Sequence, residues 1–376
     1  MRIAFVIDSL YPWELGGAHK RVWEIGKRLA DNHDVHVFGM KYWDGPNTIK
    51  KDGMTYHGVC EKQELYEDGK RSLTQPLVYS ASLFRPLFAR DFDVIDCQKS
   101  SYFHFFPSKA YSSVSDTALV GTFTEIWGDY WYEYLGKKGI FGKLIERIAL
   151  TLPDHIITIS EKNVVDLEEW GISTSNVTVI PDGIGFEEID SVPAAEKSFD
   201  VLYAGRLVEH KNVDLLLDAI TLLRKTEGQQ ITCGIIGDGP DMEALQQQAK
   251  TNGITDAVEF VGFLEDINDV YGYMKSSDVF VLPSSREGAG LVTLEANACG
   301  VPSITTRHEN NAATEVVENG VNGYISEMDV DDLAQTIRMA LTQSSELRET
   351  SIAYAKQYEW DSIAEDTLAV YKEAIN

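Results

Sequence analysis

The sequence predicts an α/β protein made of two doubly wound, Rossmann-like halves, and three observations carry that expectation. The chain has 376 residues, more than the roughly 250 to 300 at which a single hydrophobic core stops growing. It opens on an apolar strand pattern, a glycine turn and an amphipathic helix. The same alternation restarts near residue 201, after a proline-containing stretch.

Each element follows from local pattern. The apolar run at residues 3–7 leads into the Gly16-Gly17 turn, and over residues 18–30 Val22, Ile25 and Leu29 recur at helical spacing. A second strand at 35–38 makes a βαβ unit, which requires a parallel sheet with a right-handed crossover. Short strands are expected at 93–96, 118–123, 156–159 and 177–180. Residues 191–198, SVPAAEKS, read as an interdomain linker. Beyond it come a strand at 201–204, a turn at Gly205, a helix at 213–223, a strand at 231–236 and a turn at Gly237-Asp238-Gly239-Pro240. A helix at 242–249, strands at 258–261, 279–282 and 303–305, a turn at 319–323 and two amphipathic helices complete the second half; a final helix at 360–375 follows. The expected domains are 1–190 and 191–355, with 356–376 as a helix packing back on the first. Ligands of open α/β sheets lie at the carboxyl ends of strands, so the expected site is a cleft between the two domains.

Composition narrows the function. Hydrophobic residues at 44% and aromatics at 10% suffice for packed cores. No apolar run reaches about 18 residues, and Asp8 inside the opening segment favours a buried strand over a signal peptide. A cytoplasmic location is expected, with the inner face of the membrane open as a working surface. Cys60, Cys97, Cys233 and Cys299 are too scattered for a zinc spacing or a disulfide framework and are expected as buried free thiols. The net charge of -26 argues against a nucleic-acid partner; it fits a saline cytoplasm or simply an acidic protein. An anionic substrate can bind such a chain only where local cations and backbone amides overcome the global field.

The most specific stretch is Ser284-Ser285-Arg286-Glu287-Gly288-Ala289-Gly290-Leu291-Val292-Thr293-Leu294-Glu295-Ala296, with seven residues between its two glutamates. Gly288 and Gly290 permit close backbone approach, and a helix starting near Leu291 offers free N-terminal amides to a diphosphate. Glu287 precedes the turn, while Glu295 sits one turn inside the helix on the face of Leu291. One carboxylate can reach a sugar beyond the phosphates and the other a ribose behind them.

This string resembles the E-x7-E signature of the retaining glycosyltransferase family 4, and the similarity extends over nearly the whole chain. Tyr203-Ala204-Gly205-Arg206-Leu207-Val208-Glu209-His210-Lys211-Asn212 is similar to the family's G-R-L-x-x-x-K segment. The resemblance implies a GT-B fold, with an acceptor-side first domain and a donor-side second domain. It further implies that Arg206 and Lys211 contact the donor diphosphate, that Glu287 holds the donor sugar and Glu295 the ribose. Gly16 and Gly17 match the family's N-terminal glycine loop near donor phosphate and acceptor. Gly262 and Phe263 match positions near the base, or form an ordinary strand end. Val179-Ile180-Pro181-Asp182-Gly183 also matches, although the family usually carries Asn where Asp182 stands. The implied co-substrate is a nucleoside-diphosphate sugar, UDP or GDP first, with no metal or other cofactor.

One departure stands out. Where the family usually carries a histidine after the strand at 119–123, this chain has Thr124, followed by Glu125. Neither performs a histidine's proton transfer near neutral pH, although Thr124 offers a hydroxyl and Glu125 a carboxylate to an acceptor. Trp127, Tyr130, Trp131, Tyr132 and Tyr134 follow; such rings suit core packing, sugar rings and lipid headgroups alike. With the aromatic residues at 84–88 and 102–106, and Lys137, Lys138, Lys143 and Arg147 nearby, they suit a carbohydrate or lipid-linked acceptor and peripheral membrane contact. Two other readings stay open: a nucleotide-sugar-binding subunit with impaired catalysis, and a same-fold epimerase or phosphorylase. Base, sugar, acceptor and oligomeric state are not legible.

Overall fold

A strand flanked by helices on both sheet faces must be apolar throughout, and the chain begins with such a run. In the computed structural model, which describes all residues except 15, 65, 68, 69, 73, 228, 229 and 376, this run forms β1 (Arg2–Val6), buried over its last four residues. The first sheet continues with β2 (Asp34–Lys41), β3 (Thr48–Lys51), β4 (Met54–Glu61), β5 (Val94–Gln98), β6 (Ala118–Phe123), β7 (His155–Thr158) and β8 (Val177–Val179). Their order is β8-β7-β6-β5-β1-β2-β4-β3, parallel throughout except for β3–β4. That antiparallel hairpin was not among the expected strands. It turns on Asp52 and Gly53, both at positive φ (52° and 78°), as a tight two-residue hairpin turn requires.

Contacts divide the chain into residues 1–182 with 360–376, and residues 183–359. The second unit carries β9 (Phe199–Ala204), β10 (Cys233–Ile236), β11 (Val258–Gly262), β12 (Ser277–Leu282), β13 (Ser303–Thr306) and β14 (Gly323–Ser326). Their order β11-β10-β9-β12-β13-β14, parallel at every pairing, is that of a Rossmann sheet. Chain direction across the sheet reverses between β9 and β12, as it does between β1 and β5 in the first unit. Helix Val330–Ala355 packs against β12, β13, β14 and helix Val213–Glu227, burying Leu333, Ile337, Ala340, Leu347, Ser351 and Ala355.

The expected linker at 191–198 belongs to the second unit, and the break in contacts comes earlier. Helix Phe186–Ser191 buries Ile189 in the second core. Lys275 Nζ donates to the carbonyls of Asp190 (2.8 Å) and Val192 (2.7 Å), and the Ala195 amide donates to Gly272 O (2.9 Å). At the other end, helix Trp360–Ile375 packs in the first unit, with Trp360, Ile363, Ala364, Val370 and Tyr371 in its core.

Two buried charges of the first unit, Arg21 and Asp96, have close partners. Arg21 is buried and donates to Pro181 O (2.7 Å), Ile180 O (3.1 Å) and Asp182 Oδ1 (2.9 Å). Asp182 thus neutralises a guanidinium that would be costly to bury alone. Asp96 accepts from Thr122 Oγ1 (2.8 Å) and from the Tyr371 hydroxyl, and burial pushes its carboxyl up to about 6. Cys97, Cys233 and Cys299 are buried free thiols, while Cys60 is half-buried.

The paired imidazoles of His36 and His57 give the first unit an expected acid lability. His36 Nδ1 and His57 Nε2 lie 2.8 Å apart, and Thr48 Oγ1 lies 3.2 Å from His57 Nδ1. Burial lowers both rings, His57 to about 3. An unfolded histidine takes up its proton near pH ~6.5, so stability from His57 is present above that pH and is lost progressively as pH falls toward about 3. Asp96 works in the opposite direction, since protonation below about 6 relieves a buried charge. Comparing wild type with His57→Gln isolates the imidazole: the fall in thermal midpoint between pH 7 and pH 4 should be shallower in the variant. Parallel curves would contradict this.

Candidate functional site

The strongest candidate lies in the second unit, at the reversal of its sheet. β9 and β12 are direct neighbours, with Val201 paired to Val279 and Leu202 to Phe280. The loop carrying Arg206 and Lys211 and the loop carrying Glu287 to Gly290 therefore leave the same edge side by side. Side chains and backbone tie them together. The Ser285 amide donates to His210 O (2.9 Å), and Asn212 Nδ2, on a left-handed residue with φ 48°, donates to Pro283 O (3.1 Å). Lys211 Nζ lies 2.5 Å from Glu287 Oε1, with side chains only 17% and 13% exposed. Since an ammonium has three donors, Lys211 can hold Glu287 and still donate to an anion.

Arg206 has a different setting. Its carbonyl accepts from Tyr203 Oη at 2.8 Å, while its side chain is exposed and makes no ion pair among the described residues. The loop is braced from beneath: Gly205 N donates to Ile236 O (3.0 Å) and Leu207 N to Asp238 O (3.0 Å). Gly237, at φ 134°, permits this approach, because a Cβ there would lie 1.9 Å from Gly205 O.

The second loop is held by Asn311, whose Nδ2 donates to Ser284 O (2.9 Å) and Thr306 O (2.7 Å). Arg286 and Glu287 pair with Asn310 and Asn311 as a short parallel ladder. Gly288 and Ala289 are half-buried. Gly290, at φ 63°, opens helix Leu291–Ala298 with no side-chain cap, so amides of the first turn, Leu291 and Val292 included, present the positive end of the helix. Glu295 Oε1 accepts from Tyr271 Oη at 2.9 Å; burial and that carboxylate raise the Tyr271 hydroxyl, so it stays a donor. At the end of β11, Gly262 adopts φ 87° and its carbonyl accepts from Gly237 N (2.9 Å). The next ring, Phe263, is 70% exposed. The two-glutamate string and the basic loop, distant in sequence, are thus one cluster, with Phe263 two strands from β9.

In the first unit, Gly16 is in extended backbone before helix Gly17–Leu29, and a Cβ on Gly17 would meet open space. Thr124 and Glu125 follow β6 at the carboxyl edge, both half-buried. Glu125 Oε2 accepts from Trp127 Nε1 (2.7 Å) and lies 3.7 Å from Lys99 Nζ, which sits 4.9 Å from the Trp127 ring centre. The sequence reading missed Lys99; a cation just beyond a buried strand was the available signal. His104 and His155 are buried, with Nε2 against Gln98 O (2.9 Å) and Thr178 Oγ1 (2.9 Å). Among the described residues no group of His, Cys, Asp or Glu is placed to hold a metal ion.

Two Rossmann-like units in one chain define the GT-B fold class. Sucrose-phosphate synthase from Thermosynechococcus elongatus superposes with a TM-score of 0.77 at 19% identity, over 99% of this chain and 98% of that one. HepE of Anabaena, solved in complex with UDP, gives 0.74 at 20%, over 99% and 100%; likeness at such identities speaks for the fold. The sequence matches the families described as Glycosyltransferase Family 4 over residues 15–188 and Glycosyl transferases group 1 over residues 186–358. The chain belongs to the family 4, group 1 glycosyltransferases. Among curated relatives, the glycogen synthase of Mycobacterium tuberculosis is 30% identical over 230 residues, 59% of this chain and 54% of that protein. The chain thus spans about half the length of the first curated relatives it matches. The GPI3 subunit of phosphatidylinositol N-acetylglucosaminyltransferase from Saccharomyces cerevisiae is 24% identical over 98% of this chain and 82% of that one.

Proposed function

We propose that the protein transfers a sugar from a nucleoside-diphosphate sugar to an acceptor hydroxyl or phosphate, with retained anomeric configuration. The observation that carries this reading is the joining of the two motif loops at the β9–β12 reversal, where Lys211 meets Glu287 at 2.5 Å and the cationic Arg206 is exposed on the adjoining loop. In the transfer, the bond from the anomeric carbon to the diphosphate breaks, a bond to the acceptor oxygen forms and the acceptor proton is released. Negative charge then grows on the leaving diphosphate. Arg206, Lys211 and the amides from Gly290 to Val292 are suited to stabilise it, and preorganised donors of this kind supply the largest catalytic terms. Glu287 would hold the donor sugar, Glu295 the ribose, and the exposed Phe263 ring with Gly262 would meet the base. No metal or other cofactor is assigned. HepE was solved with UDP and, separately, with UDP-glucose, which makes a UDP-sugar the first donor to test and a GDP-sugar the second.

Gly16 and Gly17 would approach the donor phosphate and the acceptor, and Thr124 and Glu125 would be the catalytic candidates of the first unit, offering the acceptor a hydroxyl and a carboxylate. The name of the yeast relative supports a lipid-linked acceptor. Retention follows from the family resemblance.

A second reading, a binding subunit without turnover, draws on Thr124 at the family's histidine position. Incubation of donor with and without an acceptor mixture, followed by NMR of the product's anomeric centre, separates the alternatives. A product of retained configuration formed only with acceptor supports transfer. Donor conversion without acceptor points to an epimerase, conversion only when inorganic phosphate is added to a phosphorylase, and tight binding without turnover to the impaired subunit.

A further inference from the structure

Helix Gly139–Leu150 of the first unit is apolar on the side that faces away from the protein. Its inner side is fixed by a buried acid: Glu146 accepts from the amides of Trp127 (2.9 Å) and Gly128 (3.1 Å), from Trp131 Nε1 (2.9 Å) and from Tyr102 Oη (2.5 Å). The Trp131 ring lies so close to Gly142 that a Cβ there would come within 2.3 Å of it. The helix therefore cannot roll. Its outer stripe is Ile140, Phe141, Leu144 and Ile148, exposed by 54%, 70%, 54% and 37%. A surface helix ordinarily turns polar residues to water, and a continuous apolar stripe there marks a non-aqueous contact.

Charge says which contact. The chain carries a net -26, yet across residues 137–150 the only acidic residue is the buried Glu146, against Lys137, Lys138, Lys143 and Arg147. Lys143 pairs with Asp129, while Lys137, Lys138 and Arg147 make no ion pair among the described residues. Distant carboxylates are screened beyond ~8 Å at physiological salt, so this face meets a partner as a cation. A stable protein interface needs about 800 Å² and 20–30 residues on each side, well beyond one stripe on one helix. A bilayer needs no complementary surface: such helices sink only ~5–10 Å into the headgroup and acyl boundary.

We propose that helix Gly139–Leu150 docks the first unit on an anionic phospholipid surface. Ile140, Phe141, Leu144 and Ile148 enter the acyl boundary, and Lys137, Lys138 and Arg147 meet lipid phosphates. No helix among the described residues is long and apolar enough to span a membrane, so this would be a surface contact. It does not depend on the donor site.

The test is flotation of the full chain with phosphatidylcholine vesicles and with vesicles that also contain phosphatidylglycerol. Binding is expected to the anionic vesicles alone and to weaken as salt rises. With about 1 kcal/mol per cation near the surface, the variant Lys137→Gln with Lys138→Gln should bind roughly thirty-fold more weakly. Replacing Ile140, Phe141 and Leu144 together by Ser should weaken binding by on the order of a hundredfold. Thermal midpoints report whether each variant folds; should the Ser variant melt early, the Gln variant carries the test. Equal floating of variants and wild type overturns the proposal. So does an absence of vesicle binding, with or without a concentration-dependent dimer that the Ser variant abolishes.

Discussion

Arg206→Ala should lower donor turnover by about two to three orders of magnitude, the usual cost of removing one preorganised donor to a developing oxyanion, while leaving stability almost unchanged. The two effects separate because of where the residue sits. Its backbone is held by Tyr203 Oη at 2.8 Å, whereas its side chain is exposed and unpaired among the described residues. Surface substitutions of this kind change stability by within ~0.5 kcal/mol. Lys211→Ala should lose comparable activity but also stability, on the order of 1–3 kcal/mol, because Glu287, 13% exposed, would lose its counter-charge. Steady-state kinetics with urea melts of both variants check this. Near-normal turnover in Arg206→Ala would remove it from the diphosphate.

Gly237→Ala should be the most damaging change that touches no ligand. At φ 134° any Cβ is strained, and here it would also lie 1.9 Å from Gly205 O. Clash and strain together are expected to cost more than about 3 kcal/mol. Relief requires Gly205 to move, and Arg206 moves with it, so molecules that still fold should bind donor poorly. A urea melt changed by less than ~1 kcal/mol, well under this expectation, with wild-type donor affinity would contradict that linkage.

What could be read from sequence was whatever the chain states locally. β1, helix Gly17–Leu29 and β2 follow from apolar spacing, and the strand, turn and helix repeats of the second unit follow in the same way. The basic loop after β9 and the two-glutamate string after β12 were each legible because each is contiguous. Their meeting was not, since it depends on strand order. Asn311 holding Ser284 and Tyr271 holding Glu295 are contacts across 27 and 24 residues, and Arg21 reaches Asp182 across 161; spacing shows none of them. The domain boundary slipped because composition marks a flexible-looking stretch, while Lys275 and Gly272 bond that stretch to the second unit. The hairpin at Asp52-Gly53 was readable from its turn residues and was missed beside a dominant βαβ rhythm. Lys99 was missed because a lone lysine becomes notable only when burial sets it beside Glu125 and Trp127.

The most direct measurement is the thermal midpoint of wild type, Arg206→Ala and Glu287→Ala in titrations with UDP-, GDP- and ADP-sugars. A donor at 100 times its dissociation constant should stabilise the wild type by about 2.7 kcal/mol. One nucleotide series should raise its midpoint, and both variants should lose most of that shift. If every donor shift survives both substitutions, the seat around Arg206, Lys211, Glu287 and Glu295 is not where the nucleotide sugar binds.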